Sequence, residues 1–244
     1  FVSREDGGVL VPEGKSYVSW RDRDTLFVGA DLGADSLTES GYPRTVRLLS
    51  RGKLLEAAPV VFEGDKQDVV VYTYTHRYRA SDGRWRTRGV RSRSLTFYTS
   101  LYYVQREERA QGDEREERDE DFVCLRVLPE DAELSLFRDV ALLSLRSDWR
   151  GFQQGSLLAC PLDALLAQGG AALDEGRLQL LFAPTQSSSL LSFTALRDFV
   201  VLSLLEHVQS RLRFLKYRED THTLELHSEE QRGSVRGTSL YAYD

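Results

Sequence analysis

An eight-residue pattern that returns along the chain limits the possible folds more than any other feature. Arg138-Asp139-Val140-Ala141-Leu142-Leu143-Ser144-Leu145 recurs 59 residues later as Arg197-Asp198-Phe199-Val200-Val201-Leu202-Ser203-Leu204, with five of eight positions identical. A looser copy, Arg23-Asp24-Thr25-Leu26-Phe27-Val28-Gly29-Ala30, stands 115 residues before the first, close to twice 59. A short unit that recurs dictates the architecture, because one such unit cannot bury its apolar surface alone. Each copy follows a short apolar run: Tyr17-Val18-Ser19-Trp20, Leu134-Ser135-Leu136-Phe137 and Leu190-Leu191-Ser192-Phe193. The Arg-Asp pair between two such runs reads as a turn joining two strands.

After the first two copies a third strand can be read over 44–49 and 156–160, and a fourth over 60–62 and 178–182, before a Glu-Gly or Ala-Pro break. Four short strands per unit is the unit of a propeller blade. The double spacing places one more unit between, with candidate strands Val69–Tyr74, Arg88–Arg93, Leu95–Gln105 and Phe122–Leu128. It is stretched by the charged run Glu107–Asp121. Helix is scarce, and the best candidate is Leu162–Gln168, closed by Gly169-Gly170 between the third and fourth strands of its blade. The expected fold is all-β: a β-propeller of about four four-stranded blades, either a whole small propeller or an arc of a larger one. The chain, 1–244, is expected to form a single partial propeller domain with blades near 16–65, 66–130, 131–185 and 186–232. Gly237–Tyr243 would open a further blade starting near 233.

Composition narrows the function. With 41% hydrophobic and 29% charged residues in 244, the chain has the balance of an ordinary globular protein. Polar residues interrupt every apolar run well short of the roughly 18 to 20 residues of a membrane span. A net charge of −6 argues against a nucleic-acid partner. Cys124 and Cys160 lie in apolar runs and read as buried free thiols. Phe1–Asp6 shows no basic region followed by an apolar one, which leaves a cytoplasmic location as the expectation. The chain contains no Met, not even at its start, which suits a segment of a longer polypeptide.

Four segments carry a family resemblance: Asp24-Thr25-Leu26-Phe27-Val28-Gly29-Ala30-Asp31, Ser36-Leu37-Thr38-Glu39-Ser40-Gly41-Tyr42-Pro43-Arg44, Leu145-Arg146-Ser147-Asp148-Trp149 and Gly155-Ser156-Leu157-Leu158-Ala159. They resemble the propeller region of bacterial prolyl oligopeptidase-like serine peptidases. The likeness runs through most of the chain, most specific over 36–44 and weakest over 77–121. It implies a seven-bladed propeller that caps an α/β-hydrolase domain of the same polypeptide and admits only short peptides. The hydrolase domain of that family supplies a Ser, Asp and His triad. Here there is no Gly-x-Ser-x-Gly; Gly233-Ser234-Val235-Arg236-Gly237 has its serine in the wrong place. No catalytic residue is therefore carried over, and no cofactor or metal is expected.

Other constellations have plain alternatives. His222 and His227 are five apart, so on one strand they would face opposite sides, which argues against a shared metal or proton relay. Arg84, Arg86 and Arg88 would form a basic stripe opposite Trp85, able to receive a peptide carboxylate or dock a partner domain. The simpler reading pairs them with the acids of Glu107–Asp121. Asp148, Trp149 and Arg150 follow a strand end and read as a blade-edge loop, a place where binding residues collect. The simpler reading packs Trp149 between blades. Two rival functions stand beside the gate: a stand-alone scaffold binding a protein or peptide, and a small glycosidase-like propeller. The latter would need paired carboxylates on inward strand positions, and none stands out in the repeated strands.

Overall fold

Among the described residues, four antiparallel sheets, each built from strands consecutive in sequence, make up the β-propeller fold. The computed structural model describes residues 8–33, 35–110, 118–167 and 173–231. It falls into two units, divided after Arg126.

In the first unit, sheet 1 orders β1 (Tyr17–Trp20), β2 (Thr25–Gly29), β3 (Thr45–Ser50) and β4 (Val60–Glu63) side by side. Sheet 2 holds β5 (Val70–Arg79), β6 (Trp85–Ser94) and β7 (Ser100–Gln105). A two-residue strand, β8 (Arg109–Ala110), pairs with β6, and β9 (Phe122–Cys124) closes the sheet against β7. The two sheets pack through Phe27, Val46 and Val71, with Tyr17, Leu48 and Phe62 around them. The link between the sheets is fixed by charge. Asp68, 3% exposed, accepts Arg93 Nε at 2.7 Å and the Asp65 amide at 2.8 Å, and Asp65 pairs with the same guanidinium. The chain passes so close that a Cβ on Gly64 would lie 2.5 Å from both Asp68 Oδ2 and Val71 Cγ1.

Sheet 2 departs from the strands expected of it. β5 and β6 continue to Arg79 and back from Trp85, giving a ten-pair hairpin. Leu95–Thr99 is a turn rather than the start of a strand. The Thr96 hydroxyl accepts the amides of Tyr98 and Thr99, competing successfully with extended backbone.

In the second unit, sheet 3 orders β10 (Glu133–Phe137), β11 (Val140–Ser144), β12 (Leu157–Pro161) and β13 (Gln179–Phe182). A single helical turn, α1 (Leu162–Leu166), lies between the last two strands. Sheet 4 orders β14 (Ser188–Ala195), β15 (Phe199–Glu206), β16 (Gln209–Arg218) and β17 (Thr223–Gln231). The expected opening of a further blade near 233 lies outside the described residues.

The recurring motif now has a physical reason. Val140 and Leu142 of β11 face Val200, Leu202 and Leu204 of β15 in one core, with Phe137, Leu157 and Phe182. Ala141 and Leu143 point to the other face and are equally buried, at 0% exposure. A strand buried on both faces loses alternation and reads as a continuous apolar run. Each such Leu or Val is worth about 1.5 to 3 kcal/mol over leaving it in water.

The β15–β16 hairpin turns on His207 and Val208, both at positive φ (48° and 64°), although Val208 is β-branched and 88% exposed. A two-residue turn of this kind favours Asn-Gly. Replacing His207-Val208 with Asn-Gly should raise stability by about 1 to 2 kcal/mol, seen as a higher denaturant midpoint at unchanged m-value. A lowered midpoint would contradict the strain.

Candidate functional site

Sheet 2 concentrates arginine, and burial sorts its members. Arg84 is exposed in the turn before β6, its amide donating to Asp82 Oδ1 at 2.8 Å. Arg86 is half-buried and pairs with Asp82 at 2.8 Å. Trp85, partly exposed, stacks under the Arg77 guanidinium at 4.3 Å. Arg88 is 2% exposed and donates to the carbonyls of Gln105 (2.8 Å) and Arg106 (2.6 Å), with Glu108 at 3.4 Å. Arg91, buried to the same degree, holds Asp119 at 2.6 Å and lies 3.7 Å over the Phe122 ring. A guanidinium this deep survives only with partners for its protons. Glu108 and Asp119 of the charged run, with the carbonyls at the end of β7, provide them. Arg84 and Arg86 remain the guanidiniums of the stripe that reach solvent.

The loop between β11 and β12 is tied down locally. Asp148 Oδ1 accepts the Gln154 amide at 2.7 Å, and Trp149 and Phe152 exchange backbone hydrogen bonds at 2.9 Å. Arg150, at φ 46°, donates to the Leu173 carbonyl at 2.6 Å and stands 5.2 Å from the half-buried Trp149 ring. The three residues thus form a braced loop carrying an exposed carboxylate.

Sequence reasoning missed a cluster at the turns of sheets 3 and 4. Arg138 and Asp139 occupy the tight turn between β10 and β11, with Arg138 at φ 52°. Arg138 pairs with Asp198 (2.8 Å) and Glu219 (3.2 Å) and lies 5.0 Å from the Tyr217 ring. Asp139 accepts the Tyr217 hydroxyl at 2.5 Å and faces His222 Nδ1 at 2.6 Å. Burial, reinforced by the Asp139 carboxylate, pushes the Tyr217 phenol above its usual range. His222 does not lie on a strand with His227. It sits in the turn before β17 at φ 52°, so strand parity does not apply to the pair, and it meets a carboxylate 83 residues away. His227 instead packs on the Phe199 ring at 5.3 Å. The recurring Arg-Asp pair was the signal in the sequence, although its partners come from the following sheet.

Asp139 and His222, together with Asp163, Asp174 and Arg177, line an open cleft of about 560 Å³. An imidazole held by a carboxylate is half of a nucleophile-activating arrangement, but no serine or cysteine is among the described residues lining this cleft. The cluster joins two sheets. Among the described residues no group of three or more metal-ligating side chains gathers, and no helix is long and apolar enough to cross a membrane. Both cysteines are free thiols. Cys160 is 1% exposed, and burial pushes its thiol up to about 12. Cys124 is only half-buried, because β9 is the edge strand of sheet 2.

This arrangement of sheets is that of the propellers of prolyl oligopeptidases, and the chain is similar to the propeller part of those peptidases. A post-proline cleaving enzyme from Rickettsia typhi superposes with a TM-score of 0.70 at 21% identity, over 89% of this chain and 30% of that one. Oligopeptidase B from Trypanosoma brucei superposes with a TM-score of 0.59 at 12% identity, over 91% of this chain and 27% of its own. In sequence, an uncharacterized peptidase of Sinorhizobium fredii is 29% identical over 215 residues, 84% of this chain. An uncharacterized peptidase of Rickettsia prowazekii is 28% identical over 207 residues, 82% of this chain. The chain spans only 27% and 26% of the length of these two relatives. No protein-family model matches it.

Two measurements check the local chemistry. Arg138→Ala should cost about 1.5 to 3 kcal/mol, the range for hydrogen bonds to charged groups. Arg51→Ala, which breaks an exposed pair with Asp24, should cost at most about 1 kcal/mol. Equal losses in denaturant titration would deny Arg138 its part in the joint. In thiol labelling of the folded chain Cys124 should react first and Cys160 only on unfolding; simultaneous labelling would contradict the burial of Cys160.

Proposed function

We propose that this chain is the non-catalytic propeller portion of a prolyl oligopeptidase-like serine peptidase, restricting the access of peptides to an active site on an α/β-hydrolase domain. The observation that carries this reading is the superposition on the Rickettsia typhi enzyme, which takes in nearly all of this chain and under a third of that one. Two features of the sequence and the described residues agree with it. The sequence lacks a nucleophile elbow, and the carboxylate-held His222 has no nucleophile in its cleft.

The mechanism is steric and electrostatic. In this reading the propeller excludes folded proteins by size, while an extended peptide passes. Arg84 in the turn before β6, the half-buried Arg86 of β6 and the braced Asp148–Arg150 loop are the contact residues proposed for a passing peptide or for the hydrolase domain. A guanidinium suits the carboxylate of a short peptide. Two unpaired cysteines accord with a reducing compartment, and the proposed location is the cytoplasm.

The test compares chain 1–244 with the polypeptide encoded by the complete reading frame, on a short prolyl amide and on a folded protein. The chain alone should hydrolyse neither; the complete polypeptide should cleave the amide and spare the folded protein. Turnover by the chain alone that a serine-directed reagent abolishes would overturn the reading. So would a reading frame with no hydrolase domain, which leaves a stand-alone binding scaffold.

A further inference from the structure

The two ends of a sheet in this chain differ in kind. In each of the four described sheets the turn from first strand to second is charged: Arg23-Asp24 in sheet 1, Asp82 and Arg84 in sheet 2, Arg138-Asp139 in sheet 3 and Arg197-Asp198 in sheet 4. The turn from second strand to third stands at the opposite end of the second strand. Where it is short it carries neither acid nor arginine: residues 95–99 of sheet 2 present Phe97 and Tyr98, and the β15–β16 turn of sheet 4 presents Val208. Phe97 is 76% exposed and Tyr98 74%.

The hydrogen bonds that shape the 95–99 turn use neither ring. The Thr96 hydroxyl accepts the Tyr98 and Thr99 amides at 3.1 Å, and the Leu95 amide donates to the Thr99 carbonyl at 2.9 Å. The rings are thus held out on a fixed frame, which lowers the entropic cost of a contact. Blades cover one another's faces, whereas these side chains lie beyond the strand ends, and sheet 2 stands between sheets 1 and 3 in the sequence. The charges at the same end are already engaged: Arg93 with Asp65 and Asp68, and Lys66 with Asp35 at 3.0 Å. Aromatic surface is what this end offers, and Tyr and Phe are enriched where proteins meet. The chain matches only 27% of the length of its Sinorhizobium fredii relative, and in the reading proposed above the remainder includes an α/β-hydrolase domain.

We infer that the 95–99 turn is where that hydrolase domain docks on sheet 2, with Phe97 and Tyr98 seated in an apolar recess of it. β6 spans ten residues, which at about 3.3 Å per residue puts the two ends of sheet 2 roughly 30 Å apart. Arg84 and Arg86 stand at the far end and are left to a passing peptide. Resting on the peptidase reading, this dock divides the contact residues named there.

The test places a photo-cross-linking benzophenone side chain at Tyr98 of the complete polypeptide, and in a second variant at Arg84, and maps the products by mass spectrometry. Circular dichroism checks that each variant is folded; if the Tyr98 variant is not, the same side chain at Phe97 decides. The label at position 98 should join a segment of the hydrolase domain in several-fold higher yield than the label at 84. Equal yields from the two positions would overturn the dock, as would a label at 98 that joins only propeller segments or nothing. Cleavage of the prolyl amide by the unaltered polypeptide keeps the two claims apart, since the dock can then fail alone. A reading frame without a hydrolase domain sinks the peptidase reading, and the dock with it.

Discussion

A four-stranded sheet that is apolar on both faces has to be covered on both, and this requirement organises the chain. In β11 consecutive residues from Val140 to Leu143 are fully buried, two toward sheet 4 and two away from it. In β11 and β12 polar side chains are therefore pushed to the strand ends, whereas Ser203 (4% exposed) stays within β15 and Arg88 and Arg91 (2% each) within β6. Backbone pairing within each sheet satisfies the peptide groups, but stacking of side chains decides which sheets lie together.

Once displaced to the ends, the charges become joints. Arg93 clasps Asp65 and Asp68 where sheet 1 hands over to sheet 2, and the Asp68 carboxylate holds the guanidinium proton still more firmly than usual. Arg138 clasps Asp198 and Glu219 where the turns of sheets 3 and 4 meet. In each case one guanidinium bridges two carboxylates. Such a fork suits a joint better than a lysine, because its geometry fixes direction as well as charge. The buried partner is costly to leave alone, so these joints enforce the arrangement of sheets more than they add to net stability.

Much of the fold was legible because it is local. The Arg-Asp pair marks the turn between first and second strands in three sheets, and the apolar runs beside it mark the strands. Sheet 2 was less legible. Its hairpin is lengthened by pairs such as Tyr78 with Arg86 and Arg77 with Thr87, which carry no apolar signal because they project beyond the core. The candidate site was legible in part. Arg88 looks like surface in sequence, yet lies buried because the carbonyls at Gln105 and Arg106 cross its path. His222 could not be placed at all, since its partner Asp139 is distant in sequence and the two meet only when sheets 3 and 4 stack.

The size filter proposed for this chain depends on middle strands that do not open, and opening is measured directly by hydrogen exchange resolved to single residues. In chain 1–244 the amides of β11 and β15 should exchange most slowly, by opening of the whole unit, while those of the edge strand β17 exchange faster. Equal, rapid exchange in β11, β15 and β17 would contradict the central claim that face-to-face packing of apolar sheets holds this molecule together.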